Sequence, residues 1–278
     1  MKTFLTLLGV ITVALLGVAV FLLAKGLHID DSIVFVPKPF PERAELTIRA
    51  ESGLGRPVRH ERLFFGGQVI AMSTVGDDRG PLVLTCFGNA SDRITSGANT
   101  ARKAGDFGQV VMWDYPGYGD SSGAAGAAAI DGLADDFVAL IDERAGDRPL
   151  LFWGHSLGGF VCSNLAARSR AVDGLVLETT AASIHSVARA WTPKGVPLRV
   201  TYDEALLDFD IPRSLEGFDK PVLIIGAGRD RILPVDLSRE LSATLPQARY
   251  LELPEATHYS AGFDPRTQAA VAEMVAGL

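Results

Sequence analysis

The stretch Arg148–Leu165, RPLLFWGHSLGGFVCSNL, sets one serine, Ser156, between a continuous apolar run and a helix-like pattern. The run before it shows no polar alternation, as in a strand covered on both faces of a parallel sheet. Gly154-His155-Ser156-Leu157-Gly158 fits G-x-S-x-G, a strand–turn–helix corner that lifts a serine hydroxyl above the sheet edge. The glycines have a steric role, because side chains two positions either side of the serine would meet neighbouring backbone. The N-terminus of the following helix also favours negative charge developing at that spot. The five-residue pattern alone is weak, and an idle serine in a Gly-rich turn would match it too. Its position between a buried strand and a helix is what gives it weight.

Reading outward, strands alternate with helices. PLVLTCF, GQVVMWDY, PLLFWG, DGLVLET, PVLIIGAG and ARYLELP read as strands. DRITSGANTARKAG, AIDGLADDFVALIDERAG, LGGFVCSNLAARSR, VDLSRELSATL and PRTQAAVAEMVAGL read as helices between and after them. This alternation predicts a mainly parallel sheet with helices on both faces. Ahead of it, AELTIRA and ERLFFGGQVIAMSTVG alternate around turn glycines and predict an antiparallel opening. GAAGAAA, Gly123–Ala129, reads as a loop leading into its helix. A stretch from Ala181 to Asp219 interrupts the pattern as an insertion.

A serine is a poor nucleophile until a base takes its proton, and the base needs a carboxylate to hold its tautomer. For a corner of this kind the chain order is serine, then acid, then histidine. Two histidines follow Ser156, His185 and His258. His258, in LPEATHYS, follows the last strand and falls on the same sheet edge as Ser156, whereas His185 lies in the insertion and reads as a surface or cap residue. Asp230, in LIIGAGRDRILP, stands just beyond its strand on that edge and is the expected acid. Glu178, at the preceding strand end, is its competitor. Asp203, Asp208, Asp210 and Asp219 lie in or beside the insertion and read as solvated. The oxyanion needs two backbone N–H donors. Leu157 supplies one, and Asn89 in FGNAS is the expected second, unless Gly88-Asn89 is only a turn. GAGRDR also suggests a nucleotide loop, but it lacks the third glycine of G-x-G-x-x-G.

The 278-residue chain carries a net charge of −7 and no basic block, which argues against nucleic acid as a partner. Its two cysteines, Cys86 and Cys162, sit in apolar segments without CxxC spacing and read as separate buried thiols. Thr3–Ala24 gives 22 residues without a charge between Lys2 and Lys25, long enough to span a bilayer as an uncleaved anchor. A signal peptide has a shorter apolar core and a small-x-small site, and AVFLLAKG is a poor one. Lys2 and the free amine on a short tail place the N-terminus inside and the rest outside the cytoplasm. HIDDSIVFVPKPFPERA then reads as a Pro-punctuated tether. The expected organisation is an anchor over 1–25, a linker over 26–43 and one catalytic domain over 44–278.

FGNAS, WDYPGYGDSSG (Trp113–Gly123), GHSLGG, and GRDRILP with ATHYS together resemble the α/β-hydrolase fold family. Within it they look like the Bem46-like group of membrane-anchored serine hydrolases, related to the α/β-hydrolase domain-containing proteins 13 and 17. The resemblance runs from about Ile33 to the C-terminus. Two departures stand out. The family's His-Gly before the oxyanion residue is Phe87-Gly88 here, so a hydrogen bond that braces the loop is expected to be missing. The strand end usually written E-S-P is Glu178-Thr179-Thr180, where the glutamate is generally structural.

The resemblance implies ester or thioester hydrolysis through an acyl-serine, with Ser156 attacking, His258 shuttling the proton and Asp230 orienting it. Leu157 and Asn89 bind the oxyanion, and no metal or organic cofactor is required. Trp191, Leu198, Tyr202, Leu206 and Phe209 either line a lid over an acyl pocket or pack the insertion onto the sheet. A small-molecule, lipid or acylated-protein ester near the membrane is the expected substrate. Two other readings fit the same residues. DEALLDFD (Asp203–Asp210) offers an acidic cluster for a peptidase gripping an N-terminal amine, and Phe87 offers an argument for a non-catalytic tethered scaffold.

Overall fold

The structure, a computed structural model, describes residues 26–38, 48, 52–192 and 199–278. Its strands are β1 (Leu27–Ile29), β2 (Val58–Phe65), β3 (Gln68–Val75), β4 (Leu82–Cys86) and β5 (Gln109–Trp113). They continue as β6 (Leu150–His155), β7 (Val172–Glu178), β8 (Val200–Tyr202), β9 (Val222–Ala227) and β10 (Arg249–Leu253). The α-helices are α1 (Asp31–Val34), α2 (Arg93–Ala104), α3 (Ala127–Ala145) and α4 (Leu157–Ala166), followed by α5 (Ile184–Trp191), α6 (Ile211–Ser214), α7 (Val235–Thr244) and α8 (Pro265–Ala276).

Eight strands form one sheet in the order β10-β9-β7-β6-β4-β5-β3-β2. β2 and β3 pair antiparallel, β3 pairs antiparallel with β5, and the other neighbours run parallel. The hairpin turns at Gly66 and Gly67, with φ of 53° and 86°. Left-handed backbone at both turn positions matches the strand twist and suits glycine. Central strands alternate between two cores, as a period of two requires. Leu82, Leu84, Leu150 and Phe152 face α3 and α4, while Val83, Leu151 and Trp153 face α2 and α8. Because α2 and α4 leave adjacent strands toward opposite faces, a crevice opens at the carboxyl ends of β4 and β6.

The element reading corresponds closely to this architecture. AELTIRA, read as a strand, lies outside the described residues apart from Ile48, which is helical rather than extended and is fully buried in the core on the α2 face. α3 begins at Ala127, so Ala127–Ala129 form its first turn rather than the end of a loop. The Thr3–Ala24 segment lies outside the described residues. Among the described residues no helix is long and apolar enough to cross a membrane.

The insertion carries α5, β8, a 3-10 turn over Glu204–Asp208 and α6. Leu206 and Phe209 are buried, and Phe209 stacks on Phe160 of α4 at 5.9 Å with 3° between the ring planes. These two residues therefore pack the insertion down, whereas Trp191 stays 65% exposed. Leu198 lies outside the described residues. Part of the stretch expected to be a linker is docked: β1 pairs in parallel with β8 of the insertion.

Candidate active site

β6 delivers Ser156 to the crevice. Its φ of 55° lies in the left-handed region, which a residue with a side chain adopts only under constraint. That constraint is visible in three bonds on the Ser156 backbone. Its N–H donates to the Glu178 carbonyl at 2.9 Å, and its carbonyl accepts from the Gly159 N–H and the Thr180 hydroxyl, each at 2.9 Å. The flanking glycines are needed where the sequence places them. A Cβ on Gly154 would stand 2.7 Å from Gly159 Cα, and one on Gly158 2.7 Å from the Phe87 carbonyl oxygen.

Asp230 follows β9 and His258 follows β10, and the fold brings them together. His258 Nδ1 lies 2.7 Å from Asp230 Oδ2, with side chains 5% and 1% exposed. The other oxygen, Asp230 Oδ1, accepts the N–H groups of Ile232 and Leu233 at 2.8 Å each, so the carboxylate is fixed on both sides. A carboxylate only accepts, so Nδ1 is the donor, which in the neutral ring leaves Nε2 its lone pair. Among the described residues the Ser156 hydroxyl takes no hydrogen-bond partner.

Glu178 does something else. Its Oε2 takes the Lys103 ammonium at 2.6 Å and the Trp153 indole N–H at 2.8 Å. Burial works against its charge, yet Lys103 beside it holds the carboxyl below the ordinary glutamate range. His185 is likewise elsewhere, in the insertion and bonded to the Tyr202 hydroxyl at 3.1 Å.

The corner's own histidine has a function the sequence did not suggest. His155 Nε2 donates to the His258 carbonyl at 2.9 Å, which Thr179 Oγ1 also approaches at 3.4 Å. Burial lowers the His155 pKa to about 4, so the ring is neutral and Nε2 carries its proton. The Glu178-Thr179-Thr180 strand end thereby holds two site residues by their carbonyls: Thr180 holds Ser156, and Thr179 holds His258. Thr179 does so at a φ of 46°, a second strained position on this edge.

The Phe87–Asn89 loop leaves β4, the strand next to β6. Phe87 is buried, and its carbonyl accepts the Tyr115 hydroxyl at 2.7 Å. Asn89 Oδ1 accepts the Tyr118 hydroxyl at 2.9 Å. Burial pushes both phenols above their ordinary range, so both remain O–H donors. WDYPGYG therefore braces the loop through two tyrosines, in a protein where the histidine expected at Phe87 is absent. Ala90, at φ 56°, is the third strained residue of the site. The far end of the loop is fixed by Arg93, whose Nε donates to the buried Asp114 at 2.9 Å while its Nη2 donates to Asp120 at 3.1 Å.

Cys86 and Cys162 correct an expectation. They form a disulfide with Cα atoms 5.8 Å apart. Seventy-six positions separate them in sequence, but β4 lies beside β6, so the end of β4 comes against the helix that leaves β6. The bond ties the strand that leads to Asn89 to the helix that begins at Leu157. A cleft of about 130 Å³ opens beside this junction on the α2 face, bounded by Gly88, His155, Thr100 and Tyr259. No described residue of the insertion lines it.

The family model described as "Serine aminopeptidase, S33" matches residues 100–202. An uncharacterized Mycobacterium tuberculosis protein is 33% identical over 186 residues, covering 64% of this chain and 63% of that protein. A Danio rerio lysophosphatidylserine lipase, ABHD12, is 31% identical over 156 residues, covering 51% of this chain and 41% of the lipase. The chain thus spans less than two thirds of the length of these relatives. Among solved structures, the Pyrococcus furiosus esterase Pf2001 superposes with a TM-score of 0.65 at 14% identity, covering 87% of this chain and 97% of that one.

Proposed function

We propose that the chain is a member of the α/β-hydrolase superfamily and a membrane-anchored serine hydrolase that cleaves carboxylic esters or thioesters. The observation that carries the reading is the Asp230–His258 pair at 2.7 Å on the edge where Ser156 is held in its left-handed turn. In this reading His258 Nε2 takes the Ser156 proton as Oγ bonds to the acyl carbon. The N–H groups of Leu157 and Asn89 receive the resulting oxyanion. The leaving alcohol or thiol departs with the proton from His258 as its bond to the acyl carbon breaks. Water, deprotonated by the same nitrogen, then releases the acid and restores Ser156.

The anchor reading is supported by the 22 uncharged residues of Thr3–Ala24. Placement of the catalytic domain outside the cytoplasm is supported by the Cys86–Cys162 bond, since disulfides persist in oxidising compartments. A lipid or acylated-protein ester is the substrate class that suits such a position, and the similarity to a lysophosphatidylserine lipase agrees with it.

A serine aminopeptidase is the second reading, favoured by the description of the matched family. The three aspartates of the acidic run that would grip an amine are already engaged, however. Asp203 is 2.9 Å from His28, Asp208 3.4 Å from Arg213, and Asp210 caps α6. Turnover of p-nitrophenyl butyrate against leucine p-nitroanilide by wild type and Ser156→Ala separates the two. Ester cleavage that is lost in Ser156→Ala is expected; preferential cleavage of the anilide would replace the esterase reading with the peptidase one.

A further inference from the structure

The segment Gly26–Lys38 is joined to the catalytic domain at four places. Leu27 N–H donates to the Arg199 carbonyl at 2.8 Å, β1 pairs with β8, and Asp203 N–H returns to the Ile29 carbonyl at 3.1 Å. Both ring nitrogens of His28 are engaged, with Thr201 at 3.0 Å and Asp203 at 2.9 Å. Asp31 Oδ1 accepts the Ala127 N–H at 3.0 Å, capping α3 from a distance. That helix has Gly126 at its own N-cap and no side chain there to do so. Phe35, 3% exposed, packs on Phe209 at 5.7 Å, and Phe209 in turn stacks on Phe160 of α4.

The fourth place is the oxyanion loop. Val36 N–H donates to Asn89 Oδ1 at 2.9 Å and also faces the Tyr118 phenol oxygen. Asn89 Oδ1 receives two further donors, the Ala90 N–H at 2.8 Å and the Tyr118 hydroxyl at 2.9 Å. A carbonyl oxygen has two lone pairs, so three donors leave this amide no freedom to turn. The loop it belongs to carries the strained Ala90, which the surroundings must hold in place.

We propose that this segment is a working strap of the active site, and that Val36 is a positioning residue whose backbone N–H holds Asn89 in register. The proposal rests on the reading of the Asn89 N–H as an oxyanion donor. Side-chain identity at position 36 is then immaterial and the N–H is essential. Val36→Pro removes that hydrogen, and Phe35 already has the extended backbone, φ −107° and ψ 105°, that a following proline requires. Val36→Ala keeps it.

In full-length protein hydrolysing p-nitrophenyl butyrate, Val36→Pro is expected to lower kcat about tenfold with KM within about twofold. This is a fraction of the 10²–10³ lost with a whole oxyanion donor. Val36→Ala is expected to keep kcat within about twofold. Should Val36→Pro fail to fold, hydrogen exchange reads the same bond in the wild type. The Val36 amide is expected to be protected and to lose protection in Asn89→Ala; a freely exchanging wild-type amide overturns the proposal. A wild type labelled by a fluorophosphonate, with Val36→Pro turning over at the wild-type rate, overturns the strap's role alone. A folded wild type that neither labels nor turns over overturns the reading of the site, and the strap's role with it.

Discussion

Glu178 Oε2 lies 2.6 Å from Lys103 Nζ inside the domain, and this pairing argues against an acid role for Glu178. With side chains 10% and 2% exposed, Lys103 and Glu178 neutralise one another in a place where neither alone is stable. Glu178→Gln is expected to leave kcat within a few-fold while lowering stability by about 3–5 kcal/mol, the cost of stranding a buried charge. Asp230→Asn is expected to do the reverse, lowering kcat about 10³–10⁴-fold through the wrong histidine tautomer with little loss of stability. Paired kinetics and urea denaturation check both. A thousandfold loss of kcat in Glu178→Gln would reassign the acid.

The disulfide carries a stability prediction of its own. Closing a chain separation of 76 residues restricts the unfolded state, by roughly 4 kcal/mol in the chain-entropy account. Cys86→Ala with Cys162→Ala is expected to lose that order of stability. Thiol titration of denatured, unreduced protein should find no free cysteine. Two titratable thiols in protein purified without reductant would remove the link between β4 and α4.

His155 gives the domain a pH dependence. Burial holds its folded pKa at about 4, while the unfolded ring titrates near 6.5. Between those values the unfolded chain binds a proton that the folded one refuses. Stability therefore falls as pH drops through this window, by about 3 kcal/mol at most. His155→Asn is expected to flatten the fall in denaturation midpoint between pH 7 and pH 4.5. An equally steep fall in that variant would assign the effect to other groups.

What the sequence made legible was local. The run before Ser156, the glycines beside it and the strand–helix alternation are short-range patterns, and the order Ser156, Asp230, His258 follows from where strands end. What stayed hidden depends on neighbours far apart in the chain. Cys86 meets Cys162 because β4 lies beside β6, a strand order that residue spacing does not encode. The proline-rich tether conceals a strap because Leu27–Ile29 finds its partner at Val200–Tyr202. Phe87 reads as the loss of a brace, since the hydroxyls of Tyr115 and Tyr118 approach the loop from beyond another strand. His155 shows no role in the sequence, because its partner, the His258 carbonyl, is brought to its ring by β10.

The proposed chemistry stands on Ser156 as a nucleophile activated by His258. Fluorophosphonate labelling of the full-length protein, followed by mapping of the modified peptide, tests it most directly. A single label on Ser156 is expected, absent in Ser156→Ala, strongly slowed in His258→Ala and unchanged in His185→Ala. A folded wild type that takes no label, or takes it on another serine, would contradict it.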